Sequence, residues 1–273
     1  MDLLVNNGSL NVKLSTKNIV TTDFDESIPS LTPNTLSFKG RNGKLNFGSD
    51  YAEKKLTYTG YLTASSQSDY ENKRNQLYQL FNSNRPFYIT PIYSDNEMYE
   101  FERPGETKRA AIAQTGGTES AKRFYVLLED TFQPEFQGRI GGKQLYKLNI
   151  SFVTAELPFG ESKPKTATIT DKITYQGTVS ASQLEVPFYV QVTANEVATN
   201  LSLQIGDHTW TYRSPVAVGD IFKIGGVYNL KNSLNVNDDT NAEYFVLDPF
   251  NGNKVVCSIN ATIEIHNYKE LYL

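Results

Sequence analysis

From Lys55 to Thr63 the chain alternates. Leu56, Tyr58 and Leu62 fall on one face and Thr57, Thr59, Tyr61 and Thr63 on the other, the period of two that a half-buried strand requires. The same pattern predicts strands at Phe87 to Ile92, Glu97 to Glu102, Arg109 to Gln114, Arg123 to Phe132 and Tyr146 to Val153. In the last of these Tyr146, Leu148, Ile150 and Phe152 share a face. Pro104-Gly105 and Gly116-Gly117 punctuate the series as turns. One segment follows a different period. Ser68 to Phe81 places Tyr70, Leu77, Leu80 and Phe81 at helical spacing, with Ser68 and Glu71 set as a capping box and Pro86 as a stop.

The second half reads almost entirely as strand. Lys254 to His266 alternates over its whole length, with Val255, Cys257, Ile259, Ala261, Ile263 and Ile265 on one face. Val186, Phe188, Val190 and Val192 repeat the arrangement, and short strands are predicted at Leu201 to Ile205, Thr209 to Arg213 and Asp220 to Ile224. A two-sheet β-sandwich accommodates this spacing. Between the halves, Pro158, Gly160 and Pro164 gather in one short stretch, so residues 158–166 are expected to be a linker between a domain at 1–157 and a second at 167–273.

Composition sharpens the fold class. In 273 residues there are 17 Tyr and 15 Phe but one Trp and two Met, a balance that favours pleated sheets over helices, so the chain is expected to be mainly β. Charge is balanced in residues 1–157 and falls to -4 in 158–273, which is the net charge of the whole chain. That disfavours a protein whose business is to grip nucleic acid by its phosphates. No apolar run is long enough to cross a bilayer, and the first residues lack the basic and apolar regions of a secretory signal, so neither membrane insertion nor conventional export is expected.

Candidate chemistry is sparse. A single cysteine, Cys257, can form neither an intramolecular disulfide nor a thiolate zinc cage. The two histidines, His208 and His266, lack ligand spacing, and no nucleophile-elbow motif is present. The run from Gly138 to Gln144 has three residues between its glycines where a phosphate loop has four, and Gln144 where that loop has Ser or Thr. Asn235, Asn237, Asp239 and Asn241 lack the glycine and the bidentate glutamate of a calcium loop. Asp23 with Asp25, and Glu100 with Glu102, would serve as paired acids only across a cleft. No catalytic residue, metal or cofactor is therefore expected. One ligand idea survives: Trp210 and Tyr212 share a face of a short strand and are candidates for stacking on a sugar.

The order of segments resembles the distal tail protein family of long, non-contractile-tailed phages, in its short form. The resemblance spans nearly the whole chain. In the first half it rests on FKGRNGKLNFG, the strand KKLTYTGYL, the helix ENKRNQLYQLF and a strand with Pro91 leading into Tyr99. In the second half it rests on Tyr175-Gln176-Gly177-Thr178, GDIFKI, FVLDPFNGNKV and the closing IEIHNYKELYL. It implies an N-terminal sandwich or barrel-like domain with one helix and an extended hairpin arm, followed by a galectin-like C-terminal sandwich. It further implies a non-enzymatic virion protein forming a hexameric ring, single or stacked, at the distal end of the tail. Such a ring would join the tube protein to the tail-tip hub, its tail-associated lysin and the receptor-binding or baseplate proteins, and leave a channel for DNA. The arm that touches the neighbouring subunit is expected within Glu97 to Phe132, with Arg109, Ile112, Phe124 and Val126 as its contact residues. The competing expectation is a carbohydrate-binding sandwich that attaches to host cell walls through Trp210 and Tyr212.

Overall fold

A computed structural model of the chain describes residues 1–81, 84–94 and 117–273. They form two compact units, Met1–Gly160 and Glu161–Leu273. Within the stretch expected as a linker, Phe159 and Ser162 are buried and Lys165–Ile169 begins as a strand of the second unit.

The first unit is ordered β1 (Asp2–Asn6), β2 (Asn11–Lys13), β3 (Ile19–Glu26), β4 (Leu31–Leu36), β5 (Leu45–Tyr51), β6 (Lys55–Ala64), α1 (Gln67–Phe81), β7 (Phe87–Ser94), β8 (Gly117–Glu119), β9 (Phe124–Leu128), β10 (Glu135–Ile140) and β11 (Lys143–Thr154). Nine of these strands make one antiparallel sheet in the order β2-β1-β7-β9-β11-β6-β3, with β10 added on β11 and β8 on β7. The expected alternation holds at its centre. Leu56, Tyr58 and Leu62 of β6 and Tyr146, Leu148, Ile150 and Phe152 of β11 are all buried in one core.

Helix α1 lies on that core through Tyr70, Leu77, Leu80 and Phe81, the four residues its periodicity selects. Tyr70 stacks on Tyr146 with 3.9 Å between ring centroids, and Phe81 meets Phe87, Phe132 and Phe152. The cap differs from the expected Ser68–Glu71 pair. Ser66 Oγ accepts from the Asp69 N–H at 3.2 Å, while the Asp69 carboxylate accepts from the Ser65 N–H at 2.8 Å and from Lys73 at 3.0 Å. Glu71 instead sits within the helix and accepts from Gln67. The earlier serine wins because it leaves Asp69, one turn in, free to close the box. Those bonds, led by the one from Ser65, hold the Asp69 carboxyl down at about 2.

A buried cation sits at one edge of this core. The Lys54 side chain is 1% exposed, with Nζ 3.0 Å from Glu26 Oε2, and the other carboxylate oxygen of Glu26 takes Lys122. Both ammonium groups also lie over the Phe124 ring. Burial raises the Glu26 pKa, but the hydrogen bonds and charge of the two lysines outweigh it and leave the carboxyl lowered.

The second unit is built on two sheets. A six-stranded one runs Lys165–Ile169, Ala261–Tyr268, Tyr189–Ala194, Ile221–Ile224, Asn229–Lys231, Leu234–Asn235, and a four-stranded one runs Lys172–Ile173, Asn253–Cys257, Leu201–Ile205, His208–Tyr212. Their apolar faces meet: Phe222 of the first sheet packs edge-on against Trp210 and Tyr212 of the second. The long alternation from Lys254 to His266 is not one strand. It breaks at residues 258–260, and its two parts belong to opposite sheets. Both sheets face the same core, so the alternation passes the break unchanged.

Buried polar groups close the second unit. Glu270, 2% exposed, accepts from Lys165 Nζ at 2.6 Å, the Tyr272 hydroxyl at 2.8 Å and the Gln176 N–H at 3.2 Å. Burial pulls its pKa upward, these bonds outweigh it, and the net shift is down.

Candidate interaction surface

Strands β3 and β6 are the root of a longer ribbon. Beyond them, Ser27 N–H donates to the Lys55 carbonyl, Ser30 N–H to Glu53 and Ala52 N–H to Ser30, so the two chains stay paired as they run on into β4 and β5. There the pairing continues from Leu31 opposite Tyr51 to Leu36 opposite Leu45, with an irregularity after Pro33. These two strands form a sheet of their own and, among the described residues, bond to no other strand. Pro33, which offers no N–H, is at home in so narrow a ribbon. Positive φ at Gly40 and Gly43, +85° and +82°, shapes the tip, where the Arg41 N–H donates to Phe38.

Burial changes sharply along the ribbon. In β6 every second side chain is buried, whereas all of β4 is exposed and β5 is exposed except at Leu45. The exposed residues include Ile28, Leu31, Leu36, Phe38, Phe47 and Tyr51. Tyr51 makes an edge contact with Phe159 at 5.5 Å. A two-stranded ribbon is marginal alone in water, and grouped apolar residues on an outlying element mark a surface kept for a partner. Lys39, Arg41 and Lys44 stand at the tip, and among the described residues none of them meets a carboxylate.

The arm expected between Glu97 and Phe132 lies in large part outside the described residues. Arg109 and Ile112 lie outside the described residues, as do the strands expected at Glu97 to Glu102 and Arg109 to Gln114 and the turn at Pro104-Gly105. Phe124 and Val126 are 0% exposed and belong to the core of their own unit, paired in β9 between β7 and β11, so their side chains cannot reach a neighbour. Gly117–Glu119, which begins within the expected turn at Gly116-Gly117, is a strand that pairs with Ile92–Ser94.

The sugar-stacking candidates are also corrected. Trp210 is 0% and Tyr212 4% exposed; their shared face is the inner one, against Phe222, so neither ring offers a surface to a saccharide. The glycine run at Gly138 to Gln144 spans the end of β10, the turn at Gly141-Gly142, both at positive φ, and the start of β11. The asparagines near residue 237 are spent on their own loop: Asn237 Oδ1 accepts from the Asn229 N–H and Asn241 Oδ1 from the Thr211 N–H. His208 Nδ1 lies 2.7 Å from Glu243 Oε1, and His266 stacks on Tyr189 at 4.7 Å. Among the described residues no three His, Cys, Asp or Glu side chains are grouped to hold a metal ion, and no helix is long and apolar enough to cross a membrane.

The model of the phage tail protein RIFT-related domain matches residues 11–154, more than half the chain, and the protein belongs to that family of phage tail proteins. The matched span holds both the nine-stranded sheet's centre and the exposed ribbon. Among solved structures, the fold is similar to that of the SPP1 Dit (gp 19.1) protein, described as a paradigm of the hub adsorption apparatus in phages infecting Gram-positive bacteria. The TM-score is 0.64, with 11% identity over 98% of each chain. Two structures of the phage p2 baseplate in its activated conformation, with Ca and with Sr, also match over 98% of each chain, at 7% and 6% identity and a TM-score of 0.39, too low to equate the folds. Comparison with curated proteins finds no match.

Proposed function

We propose that the protein is the distal tail protein of a phage with a long non-contractile tail, a structural rather than catalytic component. Its first unit assembles into a hexameric ring at the end of the tail tube, and the second unit is carried on that ring. The ring joins the tube to the tail-tip hub and the receptor-binding or baseplate proteins, and its opening lets DNA through. In this reading the protein resides in the virion at the distal tail tip. Family membership and the Dit-like fold support it.

The observation that carries it is the ribbon from Ile28 to Tyr51, paired among the described residues only with itself and exposed on both strands. An arm that docks on a different surface of the next copy makes a heterologous contact, and such a contact closes a ring by rotation. The near-neutral first unit suits a conduit, because strong phosphate contacts would hold back the DNA passing through it. Negative-stain imaging of the purified full-length protein, with its mass from analytical ultracentrifugation, tests the reading. Rings of six copies are expected, and a monomer at every concentration would reject it.

A further inference from the structure

The tip of the ribbon is an electrostatic exception. In a chain of net charge -4, Lys39, Arg41 and Lys44 fall within six residues that hold no acid. At the root of the same ribbon lies the opposite arrangement. Asp23 and Asp25 project from one face of β3, which among the described residues is an edge strand of the large sheet, and both are exposed. Asp23 accepts only from the adjacent Phe24 N–H, and among the described residues neither carboxylate meets a cation, although Glu26 beside them is held by two lysines.

The two features do not satisfy each other within one chain. Ten residues of paired ribbon separate Glu26 from Leu36, and at about 3.3 Å per residue the tip is roughly 30 Å along the ribbon from the aspartates. We propose that the cationic tip of one copy docks on the Asp23–Asp25 edge of a second copy. The inference rests on the ring reading and names the contact that would fix its register. One tip and one acidic edge per copy form a head-to-tail pair, and each contact leaves a free tip and a free edge for the next subunit. The apolar residues of the ribbon supply burial, while the charges select the partner face and reject other registers.

A second basic turn provides a matched control. Arg139 and Lys143 flank Gly141-Gly142 with a similar charge, but β10 stays paired to β11 and Phe136 packs on Tyr146 at 5.5 Å, so this turn does not leave the body.

The test is charge reversal in the full-length protein, read as the concentration at which the assembly dissociates in sedimentation. K39E/R41E/K44E and D23K/D25K should each raise it at least tenfold, and the two sets combined should restore it. R139E/K143E should leave it unchanged, and D23N/D25N should give a smaller rise where the lysine variant fails to fold. The wild-type assembly should weaken as salt rises from 0.05 to 0.5 M, a range chosen because the Debye length shortens severalfold across roughly these values. The proposal is overturned if the reversals leave assembly intact, if the combined variant is not rescued, or if the control turn matters as much. It is equally overturned if the tip reversal abolishes binding to duplex DNA while sparing the oligomer. Loss of assembly on removing the ribbon, with indifference to every reversal, would reject this contact and leave the ring reading standing.

Discussion

One hairpin, from Ile19 to Ala64, has two halves with opposite fates. Its root, β3 with β6, lies in the nine-stranded sheet and buries Leu56, Tyr58 and Leu62 in a core shared with α1. Its outer half, β4 with β5, has the same backbone pairing and buries almost nothing. Hydrogen bonding is thus held constant while burial is removed. Backbone pairing alone does not make a ribbon stable; apolar surface hidden from water does. The difference separates the part of the chain that builds the subunit's core from the part that, in the proposed reading, awaits a neighbour.

Replacing Leu31–Tyr51 by a short Gly-Ser turn should therefore have the largest effect on assembly and a small one on folding. Rings should give way to monomers in sedimentation, with the thermal midpoint of the remaining protein little changed. The root should show the reverse. Phe81→Ala empties the aromatic cluster against Phe87, Phe132 and Phe152 and should cost about 3–5 kcal/mol in denaturant unfolding. Glu26→Ala strands the buried Lys54 ammonium beside Phe124. A cost of about 2–3 kcal/mol is expected, and Glu26→Gln should recover part of it through retained hydrogen bonding.

The smallest effects belong to the helix cap. Ser66→Ala should cost about 1 kcal/mol. Asp69 has a folded-state pKa of about 2, below its ordinary value, so the unfolded chain binds its proton first as pH falls. Its stabilisation is present in full above about pH 4 and is lost as pH drops toward 2. Thermal midpoints measured across that window should fall less steeply in Asp69→Asn than in the wild type. Phe81→Ala and the two cap substitutions lie away from the ribbon and the Asp23–Asp25 edge, so each should leave the assembly's mass unchanged under conditions where the body is folded.

The periodic parts of the fold were readable in the sequence because burial imposes a period. Leu56 to Leu62 and Tyr146 to Phe152 alternate, and Tyr70 to Phe81 follows a helical stripe. Three features escaped that logic. In β3 the register shifts between Thr21 and Asp23, so its buried residues Ile19, Thr21 and Phe24 do not keep a period of two. Lys54 reads as the polar end of a strand, and only its pairing with Glu26 reveals a buried cation. The ribbon is exposed throughout, so no alternation marks it, although FKGRNGKLNFG was visible as a glycine-rich stretch.

Four of the expected interaction residues, Phe124, Val126, Trp210 and Tyr212, are buried, for a related reason. Periodicity says which side chains share a face and cannot say whether that face is inner or outer. Trp210 and Tyr212 do share one, but the opposite sheet brings Phe222 against it. Phe124 and Val126 alternate as an arm would, yet β9 lies between β7 and β11 with that face turned to the core. Which faces are left open to a partner is recognised only after every buried face has been assigned.

The central claim is that the outer half of the hairpin is completed by another subunit. Hydrogen exchange of the backbone amides in Leu31–Leu36 and Leu45–Tyr51, followed from dilute monomer to assembled protein, tests it most directly. Strong protection arising in those two strands only on assembly, with β6 protected throughout, is the result this account predicts; ribbon amides that exchange equally fast in both states would contradict it.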